Sequence, residues 1–340
     1  MEQSLLELLL SEPSVSGDEF CLQDRLEEYM RKRNKEVRCT RDKIGNSVYE
    51  IGPKVQNGQK KILLAAHIDE IGLMVTAATE DGFLKVTNAG GIKASGYIGH
   101  SVAIRTKNGT IYGSVTADGD PGVKKDISAR NLLVDIGAST KEEALKVVSI
   151  GDTVVQDSCI RELIDDRILA RGLDDKSGVY VVLETLCRIA GEGSNNFLSA
   201  AATVGEETTK HGARWVAEQE MPDEAIIVDV TYTSDYPEMR QAEWGEVILG
   251  GGPAICINPI CDKKMTQRLF TLAKEKGIPC QPEVSGGRSC TDADEIHFSG
   301  KGIPVALVSI PLRYMHNPAE VADRKDLEWC VQLLKEYVNS

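Results

Sequence analysis

Lys61-Ile62-Leu63-Leu64-Ala65-Ala66-His67-Ile68-Asp69 carries five consecutive apolar residues between a lysine and a His-x-Asp. An unbroken apolar run of this length is the pattern of a strand buried on both faces, whereas a half-exposed strand would alternate. The same texture recurs downstream. A helical pattern over 176–190 leads to an apolar run at 197–204, a helix over 209–219 leads to a run at 225–230, and a helix from Asp262 is stopped by Gly277. A strand over 304–310 and an amphipathic helix over 326–338 complete the alternation. This order predicts an α/β fold with a mixed, mostly parallel sheet covered by helices on both faces. Upstream, helices are expected over 4–10 and from Asp18, as N-cap, to about Arg33.

Between these halves the texture changes. Residues 71–163 are Gly-rich and short-stranded, with runs at 73–77, 83–87, 102–106 and 110–115. Turn signals stand at Asp81-Gly82, Asn108-Gly109 and Asp118-Gly119. They predict a small β-barrel-like domain inserted into the chain, with one helix over 141–148 opened by a Ser139-x-x-Glu142 capping box. The larger domain would then comprise 1–70 and 164–340.

Composition narrows the function. The chain has 340 residues, with 39 basic against 52 acidic side chains, a balance of −13. An acidic surface repels phosphate backbones and anionic lipid, which argues against nucleic acid and membranes as partners. No apolar run approaches membrane-spanning length. Nine cysteines without a Cys-x-x-Cys pair read as free thiols, so a cytoplasmic location is expected. A chain this long can bury its core without a structural metal, so any ligand pattern would argue for chemistry.

Individually, the candidate residues have innocent explanations. His67 and Asp69 stand at a strand end. Asp174 and Asp175, in Gly172-Leu173-Asp174-Asp175-Lys176-Ser177-Gly178, precede a helix whose dipole favours carboxylates. Glu206 and Glu207 follow the run at 197–204, and Asp229 interrupts an apolar strand where a buried acid needs a partner. His316 follows the last strand, in Pro311-Leu312-Arg313-Tyr314-Met315-His316-Asn317-Pro318. Jointly they are harder to dismiss, because most fall at the carboxyl end of a strand, where open α/β sheets place their sites. Two imidazoles with several carboxylates and no thiolate suit zinc, cobalt or manganese, and the set is large enough for two ions.

The order His67-x-Asp69, Asp174, Glu206-Glu207, Asp229, His316 resembles the di-metal aminopeptidases of peptidase family M42. So do the strings His67-Ile68-Asp69-Glu70-Ile71-Gly72-Leu73-Met74-Val75 and Gly172-Leu173-Asp174-Asp175. The resemblance implies a zinc-exopeptidase-like fold and two divalent ions. Asp174 would bridge them, with His67 and Asp229 completing one site and Glu207 and His316 the other. Asp175 is the alternative to Asp174. Glu206 would be the general base and Asp69 would orient His67. The resemblance also implies an aminopeptidase acting on peptides with a free N-terminus, and a homo-oligomer in which the β insert joins dimers that build a dodecamer. Two departures fall near the expected pocket. Gly205 stands where family members commonly have Gln, and Arg288 and Cys290 are added to a Gly-Gly-x-Thr-Asp-Ala loop. A carboxypeptidase or N-deacylase on the same scaffold, or a non-catalytic assembly subunit, are the rival readings. A glycosidase would need two carboxylates straddling a sugar cleft rather than a carboxylate-imidazole cage. Three further expectations are structural: His100, His211 and His297 lie outside the site, Cys290 is no nucleophile, and Gly250-Gly251-Gly252-Pro253 is a tight approach near the pocket.

Overall fold

The apolar run forms β3 (Lys61–His67), at the centre of an eleven-stranded mixed sheet in a computed structural model that describes residues 4–51, 58–119, 126–194, 196–237 and 245–340. Beside β3 lie β12 (Phe197–Thr203) and β13 (Glu224–Tyr232), and β16 (Val305–Arg313) follows; these four strands are parallel. One flank adds β2 (Ser47–Ile51) and β1 (Val37–Arg41), antiparallel. The other adds β17 (Glu320–Asp323), β11 (Arg167–Ala170) and β10 (Arg161–Glu162), also antiparallel. A branch leaves β16 through β14 (Ala254–Ile257) to β15 (Gln281–Val284). The parallel character is therefore concentrated in the centre, where every face is covered and the sequence runs are unbroken.

Alternation along these strands decides which side chains reach which face. On β3, Ile62, Leu64 and Ala66 enter a core shared with α1 (Leu5–Ser11), α2 (Phe20–Arg33), α4 (Leu173–Glu192), α6 (Lys263–Lys276) and α8 (Arg324–Val338). Leu63 and Ala65 face the opposite core, with α5 (His211–Glu220) and α7 (Ala293–His297). His67 continues this second row, and Asp229 continues the row of Ala225 and Ile227 on β13. The pleat thus delivers both polar groups to one face of neighbouring strands, His67 at the end of β3 and Asp229 beside it within β13.

The insert is a closed barrel in the order β4-β5-β8-β7-β6-β9, with its own apolar core around Leu73, Val86, Ile104 and Val134. Its strands are β4 (Gly72–Ala78), β5 (Leu84–Ala89), β6 (Ser101–Thr106), β7 (Gly109–Ala117), β8 (Leu132–Asp135) and β9 (Thr153–Gln156). The segment that leads from β3 into the barrel is pinned to the large domain by a buried ionic knot. The Glu70 carboxylate accepts from Lys176 Nζ at 2.8 Å, from Arg171 Nη1 at 2.5 Å and from the Ser14 backbone at 2.9 Å. Burial alone would raise the Glu70 carboxyl, but the two cations outweigh it and hold it down at about 2.

Three local expectations shift. The N-cap of α2 is Glu19; Asp18 is drawn instead to the barrel, where its carboxylate accepts from Thr153 Oγ1 at 2.8 Å. The helix in the insert, α3 (Lys141–Val147), is capped one residue later than expected, by Thr140 accepting from the Glu143 backbone. The glycine run makes its close approach away from the cleft. Gly250 and Gly252 N–H each donate to the Asp326 carboxylate at 2.8 Å, and a Cβ on Gly252 would lie 2.1 Å from the Pro279 carbonyl oxygen.

Candidate active site

Each polar group is brought in by a different element. His67 closes β3, Glu206 and Glu207 follow β12, and Asp229 lies in β13, three residues before its end. Asp174 and Asp175 open α4, and His316 follows β16 with φ +63. All except Asp175 line one cleft of about 510 Å³, together with Gly91, Lys210, Tyr232, Glu283 and Cys290.

The imidazoles face a shared carboxylate from two sides. His67 Nε2 is 3.2 Å from Asp174 Oδ1, and His316 Nε2 is 3.3 Å from Asp174 Oδ2. Asp229 Oδ1 stands 4.0 Å from His67 Nε2, and Glu207 Oε2 stands 3.5 Å from His316 Nε2. Each ring is fixed by its other nitrogen. His67 Nδ1 lies 3.0 Å from the Asp69 carbonyl oxygen and His316 Nδ1 lies 3.1 Å from the Gly91 carbonyl oxygen, contacts that leave both Nε2 atoms facing the carboxylates. Gly91 follows β5, so the barrel completes the site. A side chain there would crowd His316, since a Cβ on Gly91 would fall 3.1 Å from Nδ1.

Asp69 is fully buried. Its carboxylate stands 3.5 Å from His67 Nδ1 and also accepts from the backbone N–H of Glu206 at 3.0 Å and of Glu207 at 3.2 Å. It thereby aligns the imidazole and the paired glutamates at once. Asp175 differs from Asp174 in how its oxygens are used: Oδ2 accepts from the His67 N–H at 3.3 Å and Oδ1 from the Gly178 N–H at 3.1 Å.

The charge distribution is lopsided. Burial, together with repulsion from neighbouring carboxylates, pushes Glu207, Asp229, Asp175 and Glu320 well above the usual carboxylate range. Glu207 Oε1 is buried with no hydrogen-bond partner. His67, Asp174 and Glu207 can direct ligand atoms to one point, as can His67, Asp175 and Asp229. A surplus of buried carboxyl groups around two oriented imidazoles, whose ionisation is disfavoured without a compensating cation, together with an unused carboxylate oxygen, fits divalent cations.

Two groups escaped the sequence reading. Lys210 Nζ pairs with Glu206 Oε1 and donates to the Cys290 carbonyl at 2.8 Å; the i, i+4 spacing from Glu206 was the available signal. Glu320 accepts from the backbone of His316 at 3.0 Å and of Asp174 at 3.2 Å, joining two segments far apart in sequence. Gly205 also finds its reason. At φ +72 a Cβ would lie 2.3 Å from the His211 ring, so the glycine makes room for that imidazole. His100, His211 and His297 bond to Gln156, Thr209 and Ile303 respectively, outside the cluster.

Residues 45–333 match the family described as M42 glutamyl aminopeptidase. The chain belongs to that family. The lysyl aminopeptidase of Pyrococcus furiosus is 29% identical over 350 residues, covering 98% of this chain and 96% of that protein. An aminopeptidase structure from Desulfurococcus kamchatkensis superposes with a TM-score of 0.90 at 34% identity, covering 99% of this chain and 94% of that one. The Pyrococcus horikoshii TET1 peptidase, which can assemble into a tetrahedron or a large octahedral shell, superposes with a TM-score of 0.83 at 29% identity, covering 98% and 99%. Among the described residues no helix is long and apolar enough to cross a membrane.

Proposed function

We propose that this M42 protein is a di-metal aminopeptidase that removes residues from the N-termini of peptides. The observation that carries the reading is Asp174, whose two oxygens each face a different imidazole. Asp174 would bridge two divalent ions, zinc, cobalt or manganese, with His67 and Asp229 on one and Glu207 and His316 on the other. When bound, such ions lower the pKa of water from 15.7 toward about 7, polarise the scissile carbonyl and hold the free α-amine.

The chain's own groups do the rest. Glu206 takes a proton from the attacking water and returns it to the leaving amine. Its backbone is held by Asp69 and its carboxylate by Lys210, so the base is aimed before substrate arrives. Asp175 serves by binding backbone N–H groups, which favours Asp174 over it as the bridge. Metal-loaded enzyme is expected to cleave aminoacyl reporters and not N-acylated ones, to lose activity to a chelator, and to regain it on addition of zinc, cobalt or manganese. Cleavage of N-acylated or C-terminal reporters instead would establish the deacylase or carboxypeptidase reading.

The barrel, whose strands run from Gly72 to Gln156 and end short of the expected 163 because β10 (Arg161–Glu162) joins the large sheet, is proposed as the surface on which chains pair. Tyr112, Leu145, Val147 and Ile150 are exposed on it, an apolar group that pairing would cover. Light scattering is expected to give a mass several times the 37.0 kDa of one chain, consistent with dimers building a dodecamer; a 37.0 kDa species would refute it. The nine cysteines are unpaired, which suits a reducing cytoplasm.

A further inference from the structure

The family name says glutamyl and one relative's name says lysyl, two substrates of opposite charge, so the comparisons leave the preferred residue open. The cleft wall decides between them. Beyond the metal-facing groups, its charged side chains are Lys210 and Glu283. Lys210 is already neutralised by Glu206 and is tied to the Cys290 carbonyl. Glu283 has no such partner. Its carboxylate accepts from Thr231 Oγ1 at 2.5 Å and from Ser309 Oγ at 3.0 Å, and no lysine or arginine among the described residues pairs with it. Two hydroxyls leave acceptor sites on both oxygens unused.

Its position matches a long cationic side chain. Thr231 is two residues beyond Asp229 on β13, and Ser309 is the cross-strand neighbour of Asp229 on β16. The Glu283 carboxylate is bound to both, so it lies beside Asp229 in the same cleft, next to its cross-strand neighbour and to the residue ~6.6 Å further along β13, on the wall that a residue held at the proposed metal site would face. An extended lysine spans about 7 Å from its α-nitrogen to its ε-nitrogen. The same cleft is lined by Thr231, Ser289 and Thr291, hydroxyl side chains that suit a polar chain end.

We propose that Glu283 makes this cleft selective for an N-terminal residue with a cationic side chain, lysine or arginine. The inference rests on the aminopeptidase reading. Its test compares kcat/KM of the metal-loaded enzyme on lysyl, arginyl, norleucyl and glutamyl anilides, norleucine being lysine's length without the charge. Lysyl is expected to exceed norleucyl by at least about tenfold. Glu283→Gln, which keeps size and an acceptor for the hydroxyls, is expected to bring that ratio near one while the norleucyl rate stays within about threefold. Glu283→Lys is expected to favour glutamyl. A wild-type ratio near one, or a ratio unchanged in Glu283→Gln, overturns the inference and leaves the aminopeptidase reading standing. The wild-type ratio decides even if a variant fails to fold. No turnover on any aminoacyl anilide overturns both.

Discussion

Glu206→Gln is expected to lower kcat by about 10³-fold while the protein keeps its bound metal. Glutamine preserves the shape of the side chain and leaves the Glu206 N–H on Asp69 Oδ1, so the loop after β12 stays aimed. It cannot take a proton from water, and that loss outweighs the weakened pairing with Lys210. Glu207→Gln and His316→Ala should behave differently. These residues form the 3.5 Å pair on the far side of Asp174, so their loss should empty that part of the site as well as abolish turnover. Elemental analysis beside steady-state rates separates the two classes. Equal metal loss in all three variants would mean that Glu206 is a ligand and that the base lies elsewhere.

The proposed contrast between two adjacent glutamates has its signal in the sequence, because they follow a buried strand. Side chains that diverge there suit two tasks better than one, and the run at 197–204 fixes where the strand stops. The central sheet was legible for a related reason: strands covered on both faces spell themselves as apolar runs. The antiparallel flanks were not. β1, β2, β10, β11 and β15 are short and partly exposed, so their sequences lack both the unbroken run and a clean alternation. Contacts between distant segments were equally silent. Glu320 binds the backbones of Asp174 and His316, and Gly91 of the barrel orients His316, but a backbone acceptor leaves no residue-type signature. Asp18 shows the same limit from the other side. By local chemistry it is a good N-cap, and only the arrival of Thr153 from a strand 135 positions away draws it off the helix. The Glu283 contacts with Thr231 and Ser309 likewise exist only because β15 joins the sheet through β14.

Asp174→Asn is expected to remove both ions and all measurable turnover, the largest effect of any single substitution at this site. Among the described residues it is the one carboxylate within 3.5 Å of both imidazoles, with Oδ1 toward His67 and Oδ2 toward His316. Asparagine withdraws a negative charge and turns an amide donor toward one of those rings, so at least one side loses its acceptor and both lose the shared charge. The backbone is expected to stay in place, because the Asp174 N–H donates to Glu320 and that contact does not involve the side chain. Asp175→Asn supplies the control. Its oxygens serve the N–H groups of His67 and Gly178, so the change should cost stability and leave metal stoichiometry near two. Metal content of the two variants, measured after identical reconstitution, decides which aspartate bridges. Two equivalents retained in Asp174→Asn with none in Asp175→Asn would exchange the roles of the pair. Because both residues are buried at the same helix start, the comparison holds environment nearly constant and isolates the direction each carboxylate faces.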